Sequence, residues 1–98
     1  MNAESFFEKL SNMFSVVGKC IYNSEHVDGT TVTDEIETDC DTEICLDGDK
    51  LFIEYNEGQT RRVIPVAGLT PHFQEDEFGS TFSLFRNNSV EHQFTFMG

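Results

Sequence analysis

Thr33-Asp34-Glu35-Ile36-Glu37-Thr38-Asp39-Cys40-Asp41-Thr42-Glu43-Ile44-Cys45-Leu46 is the stretch on which the reading of this chain turns. On a strand, successive side chains point to opposite faces. Placed on one, Glu35, Glu37, Asp39, Asp41 and Glu43 fall on one side. Ile36, Thr38, Cys40, Thr42, Ile44 and Leu46 fall on the other, with Asp34 among them. One face is a row of carboxylates and the other resembles a core. A continuous strand would space these charges ~6.6–6.8 Å apart. At that separation a pair of like charges costs about 0.6 kcal/mol in water before salt screening. The four neighbouring pairs then cost about 2 kcal/mol, against a typical stability of about 5–15 kcal/mol. A turn at Asp39-Cys40-Asp41, plausible for Asp-rich sequence, would fold the line into two shorter rows. The negative patch would survive it, and the even, phosphate-like spacing would not.

Outward from this stretch, turn signals divide the chain. Residues 30–38 are rich in β-branched side chains and residues 42–46 resume the pattern. Asp47-Gly48-Asp49 is a hairpin signal. Residues 50–56 alternate, with Leu51, Ile53 and Tyr55 on one side, and Glu57-Gly58 turns the chain. Residues 60–66 follow, where Pro65 marks a strand end or a sheet edge. Residues 67–80 contain Gly68, Pro71 and Gly79 and are expected as a long loop with a helical turn near residues 74–77. Residues 81–86, a turn at Asn87-Asn88, and residues 90–97 form a last hairpin, with Val90, His92, Phe94 and Phe96 on one face. Phe73, Phe78 and Phe85 are expected in the core, with a dimer contact or a binding hot spot as the alternatives.

The N-terminal part has a different period. Phe6, Leu10, Met13, Phe14, Val17 and Ile21 recur at three- and four-residue steps, which predicts a helix over residues 5–20. Ser5 and Glu8 fit a capping box. The expected fold is α+β, an N-terminal helix packed on a curved antiparallel sheet of five or six strands, in one domain over residues 1–98.

The chain carries 18 Asp and Glu against 6 Lys and Arg, a net charge of −12. Residues 28–49 hold nine of the eighteen carboxylates, and no Lys or Arg occurs between Lys19 and Lys50. Such a field repels nucleic acid and anionic membrane and speeds encounter with basic surfaces. Arg61-Arg62 is the sole basic pair, and neighbours on a strand point apart, which argues against a basic groove. No apolar run approaches the ~20 residues of a membrane span. Three cysteines, Cys20, Cys40 and Cys45, without a signal-peptide pattern, suggest free thiols in a cytoplasmic setting.

Other chemistries fail on spacing. Asp39, Asp41 and Glu43 open like a calcium loop, but Ile44 stands where glycine is needed and Lys50 where glutamate is needed. Cys40 and Cys45 have no second pair to complete a zinc site. No phosphate-binding glycine motif occurs, and no pairing of Cys20 with His26, or around His72 or His92, marks a catalytic triad. No cofactor, metal site or enzymatic activity is expected.

In size and charge the chain resembles the small phage-encoded inhibitors that disarm nucleic-acid-binding host defences, including restriction and CRISPR systems. That resemblance is of character and carries no residue correspondence. It implies an acidic inhibitor that mimics nucleic acid and binds a basic nucleic-acid-binding protein, with no direct contact to nucleic acid. The candidate partner-binding residues are Asp34, Glu35, Glu37, Asp39, Asp41, Glu43, Asp47 and Asp49. Two alternatives use the same residues differently. One is an antitoxin or immunity-type module that covers a toxin, and the other is a structural domain whose charge serves solvation alone.

Overall fold

The computed structural model describes residues 3–15, 18–25, 29–38, 41–55 and 58–97. One helix, α1 (Ala3–Phe14), precedes eight strands: β1 (Gly18–Glu25), β2 (Thr31–Thr38), β3 (Glu43–Asp47), β4 (Lys50–Tyr55), β5 (Thr60–Pro65), β6 (Thr70–Asp76), β7 (Gly79–Arg86) and β8 (Ser89–Met97). They form two sheets, not one. The larger has the order β2-β1-β8-β7-β6 and the smaller the order β3-β4-β5. Every pairing is antiparallel. The first hairpin and the last meander join through β1 and β8, with Tyr22 opposite Phe94, and the middle meander is the second sheet.

The helix ends earlier than its stripe predicts. Val16, Val17 and Gly18 are poor helix formers in succession. Beyond them β1 buries Cys20 and Tyr22 and leaves Ile21 half-buried on the other face. Ile21 therefore does not belong to the helical stripe, and Val17 lies outside the described residues. Ser5 is the third residue of α1 and is not its cap. What remains of the stripe is sound: Phe6, Leu10 and Phe14 are fully buried. The Phe6 ring meets Phe82 edge-on at 5.5 Å, and Phe14 meets Phe94 and Phe96 at 5.8 and 5.2 Å. Such edge-to-face pairs add to the area they bury. Leu51, Ile53 and Ile64 of the smaller sheet complete the same core.

Residues 67–80 are not a long loop. Thr70–Asp76 is strand β6, paired with β7 from Thr70 opposite Phe85 to Asp76 opposite Gly79. Pro71 is tolerated because β6 is an edge strand. The expected helical turn is a tight β-turn at Glu77-Phe78. The Asp76 carboxylate accepts hydrogen bonds from the backbone N–H groups of Phe78 and Gly79, at 2.8 and 3.1 Å. This lifts Phe78 to the tip of the hairpin, where it is 74% exposed rather than in the core. Phe73 is half-buried against the core and Phe85 half-buried beside His72. A bulge between Leu84 and Phe85 leaves Glu91 unpaired in register on β8, between Val90 and His92, and interrupts the alternation expected there.

The remaining turn chemistry behaves as its residues require. Gly48, with φ of 60°, occupies the first central position of the two-residue β3–β4 connection. Pro65 ends β5, itself an edge strand.

Candidate functional site

The acidic run divides between two edges. β2 closes one side of the larger sheet and β3 one side of the smaller. A single strand with five evenly spaced carboxylates therefore does not form. β2 ends at Thr38 and β3 begins at Glu43. Asp41 is an exposed turn residue and Thr42 is buried. Asp39 and Cys40 lie outside the described residues. The alternation is kept in β2 and only in part in β3, where Leu46, expected on the core face, is exposed. Glu35 and Glu37 are exposed while Ile36 and Thr38 are buried, and Glu43 and Asp47 are exposed while Ile44 is half-buried.

On β2 the carboxylates meet the chain's own cations. Lys19 on β1 lies opposite Glu37 and bonds Glu35 at 2.8 Å. The hydrogen bond to Glu35, its charge, and more weakly the charge of Glu37 hold the Lys19 ammonium pKa above its ordinary value. Asp34 points the other way and pairs with Arg62 of β5. The Arg62 guanidinium also lies over the Tyr22 ring, 4.9 Å from its centroid. Burial works against the Arg62 charge, but a hydrogen bond with Tyr55 and the Asp34 carboxylate outweigh it and hold its pKa above the ordinary value. Tyr22 in turn hydrogen-bonds Nδ1 of His92 at 2.8 Å, and burial pushes its phenol pKa up. This chain of contacts ties the small sheet to the rim of the large one. Asp34 is thus a fastening between sheets.

On β3 the situation is different. Glu43 stands directly opposite Glu54, a like-charge cross-strand pair of the kind that destabilises a sheet. Glu54 is drawn towards Arg61 at 3.6 Å. Among the described residues, no ion pair reaches Glu43, Asp47 or Asp49; Asp47 faces Lys50 across the turn without bonding it.

Comparison of the chain with protein-family models, with curated proteins and with solved structures finds no match. The site therefore rests on its own geometry. Asp34, Glu35 and Glu37 lie on one edge, Glu43, Asp47 and Asp49 on another, and Asp41 between them in the chain. Among the described residues no group of three or more His, Cys, Asp or Glu is placed to hold a metal ion, and no helix is long and apolar enough to cross a membrane. Sequence reasoning missed the exposed ring of Phe78 between Glu77 and Gly79. The available signal was the Asp76-to-Gly79 spacing of a two-residue turn, which has no room to bury the side chain at its tip.

Proposed function

We propose that this chain is a small acidic binding protein that docks on the basic, nucleic-acid-binding surface of a partner protein and blocks it. The observation that carries the reading is the run from residue 20 to residue 49, ten acids without one Lys or Arg, which includes the edge strands β2 and β3 with Glu35, Glu37, Glu43 and Asp47 exposed on them. Mimicry of nucleic acid in this arrangement is by sign and density of charge, not by phosphate-like pitch, because β2 and β3 belong to different sheets. A basic groove meeting Glu37, Glu43, Asp47 and Asp49 gains fast encounter from charge complementarity, and apolar contacts lengthen the residence time. The proposal is of binding, with no catalytic step and no cofactor, in the cytoplasm of the cell that holds the partner.

The test is affinity capture from lysate with the immobilised chain, elution by a salt gradient, and identification of the bound proteins by mass spectrometry. The expected result is a nucleic-acid-binding protein that elutes early in the gradient, is displaced by competing DNA or RNA, and is not retained by the Glu37→Lys, Glu43→Lys double variant. Retention indifferent to salt and to charge reversal would overturn the reading.

A further inference from the structure

The two sheets meet beside α1 at an apolar cleft of about 210 Å³. Phe7 of the helix, Leu46 of β3, Val66 and Leu69 of the β5–β6 connection, and Pro71 of β6 line it, and Asp49 of the β3–β4 turn stands at its wall. Two backbone hydrogen bonds fix its shape: Val66 N–H donates to the Asp49 carbonyl at 2.8 Å, and Leu69 N–H to the Val66 carbonyl at 3.2 Å. Leu46 is 42% exposed, a large aliphatic side chain half in water at the mouth.

Size and charge together select an occupant. The cleft is smaller than the ~300–1,000 Å³ of typical small-molecule sites, yet larger than the ~150 Å³ apolar cavity that takes up a benzene ring. It fits one phenyl or branched aliphatic side chain. Asp49 lines the cleft and has no ion pair among the described residues, while Asp47 alternates to the other face of β3, beside Glu43 and Cys45. Of the nearby cations, Arg86 is already held by Glu91 at 3.1 Å and by the Ala67 carbonyl at 3.3 Å, and Lys50 stands opposite Asp47 and does not line the cleft. A second copy of this chain is a poor guest. Its exposed ring, Phe78, follows directly on Glu75, Asp76 and Glu77, which would meet Asp49 with like sign.

We infer that the cleft receives a single phenylalanine- or leucine-type side chain that projects between Lys and Arg residues of the basic partner. This rests on the acidic-docking reading and specifies its anchor: Asp49 engages a flanking cation while Leu46, Phe7 and Leu69 enclose the apolar group. The site then combines a desolvated centre with a charged rim, the usual anatomy of a binding hot spot.

The experiment titrates the whole chain with two synthetic Lys/Arg heptapeptides, one with a central phenylalanine and one with a central glycine, by calorimetry and by NMR of the Leu and Val methyl groups. The phenylalanine peptide binds about tenfold tighter or better, as burial of one ring predicts, and shifts the Leu46, Val66 and Leu69 methyls. Leu46→Gln and, independently, Ala67→Trp, which places bulk on a lining position, bring it down to the glycine peptide's affinity and leave the latter unchanged. The Asp49→Asn variant weakens both. Equal affinity of the two peptides for the native chain overturns the cleft assignment while leaving the acidic reading intact. Failure of both peptides to bind at low salt overturns the acidic reading and this inference with it.

Discussion

The two halves of the acidic run, β2 and β3, have similar composition and opposite circumstances. β2 lies against β1 and turns Ile36, fully buried, and Thr38 into the core. Its carboxylates are answered from within: Asp34 by Arg62, Glu35 by Lys19. β3 lies against β4 and leaves Leu46 42% exposed, while Glu43 faces Glu54 and Asp47 and Asp49 find no cation among the described residues. The same alternating pattern therefore serves the fold in one place and is held against the fold's interest in the other. Uncompensated charge beside half-exposed apolar surface is where an external partner has most to gain. β2 is the anchored edge, and β3 the one on which the proposed docking centres.

Truncation of the inward side chain on each strand gives the largest contrast. Ile36→Ala is expected to cost ~2–5 kcal/mol, the range for removing a fully buried aliphatic group, whereas Leu46→Ala costs about 1 kcal/mol or less because much of its area already meets water. Urea unfolding of both variants measures this, and equal losses would erase the distinction. Next comes charge reversal. Glu43→Lys with Asp47→Lys is expected to weaken binding to the captured partner at least tenfold, and more than Glu35→Lys with Asp34→Lys does among variants that remain folded. The reverse order would move the docking edge to β2. Arg62→Met, which loses the Asp34 pair and the stacking on Tyr22, is expected to cost about 1–2 kcal/mol without weakening the partner complex.

Alkaline pH examines the core behind β2. Burial pushes the Cys20 thiol from its ordinary 9.0 up to about 12, offset in part by a backbone hydrogen bond with Thr95. The unfolded chain therefore releases this proton first. The stability that the neutral thiol contributes is complete below about pH 9 and drains away as the pH rises towards about 12. Unfolding midpoints measured from pH 8 to pH 10.5 should fall for the native chain and fall less steeply for Cys20→Ala. Identical slopes would show that Cys20 titrates alike in both states.

Much of this architecture was legible in the residues. β2 to β5 and the β7–β8 hairpin follow from alternation and from turn chemistry at Asp47-Gly48-Asp49 and Asn87-Asn88, because both are local. β1 was hidden by coincidence: Val17 and Ile21 extend the helical spacing of Phe6, Leu10 and Phe14, and only the burial of Cys20 and Tyr22 decides for a strand. β6 was hidden by Pro71, which breaks a central strand but not an edge. The division into two sheets depends on the pairing of β1 with β8, which no period reveals. The sign and location of the charge were plain from the start. Its division into answered and unanswered carboxylates was not, since Asp34 and Arg62 are 28 residues apart in the chain and on different sheets.

The smallest expected effect is the finest test of the two edges. The Lys19–Glu35 pair has good length, 2.8 Å, but its side chains are 63% and 52% exposed, and exposed pairs contribute little because water and salt already screen them. Lys19→Gln should therefore leave the unfolding midpoint where it is. It should still change the surface, since Lys19 is the cation that offsets both Glu35 and Glu37. With it gone, β2 comes to resemble β3 in charge, and a basic partner should associate faster at low ionic strength while dissociating at nearly the native rate, since rim charges act chiefly on encounter. If Lys19→Gln instead destabilises the fold as much as Arg62→Met, the pair fastens β1 to β2 in earnest. The anchoring of that edge would then extend to its outer face, and Glu35 and Glu37 would leave the list of groups open to a partner.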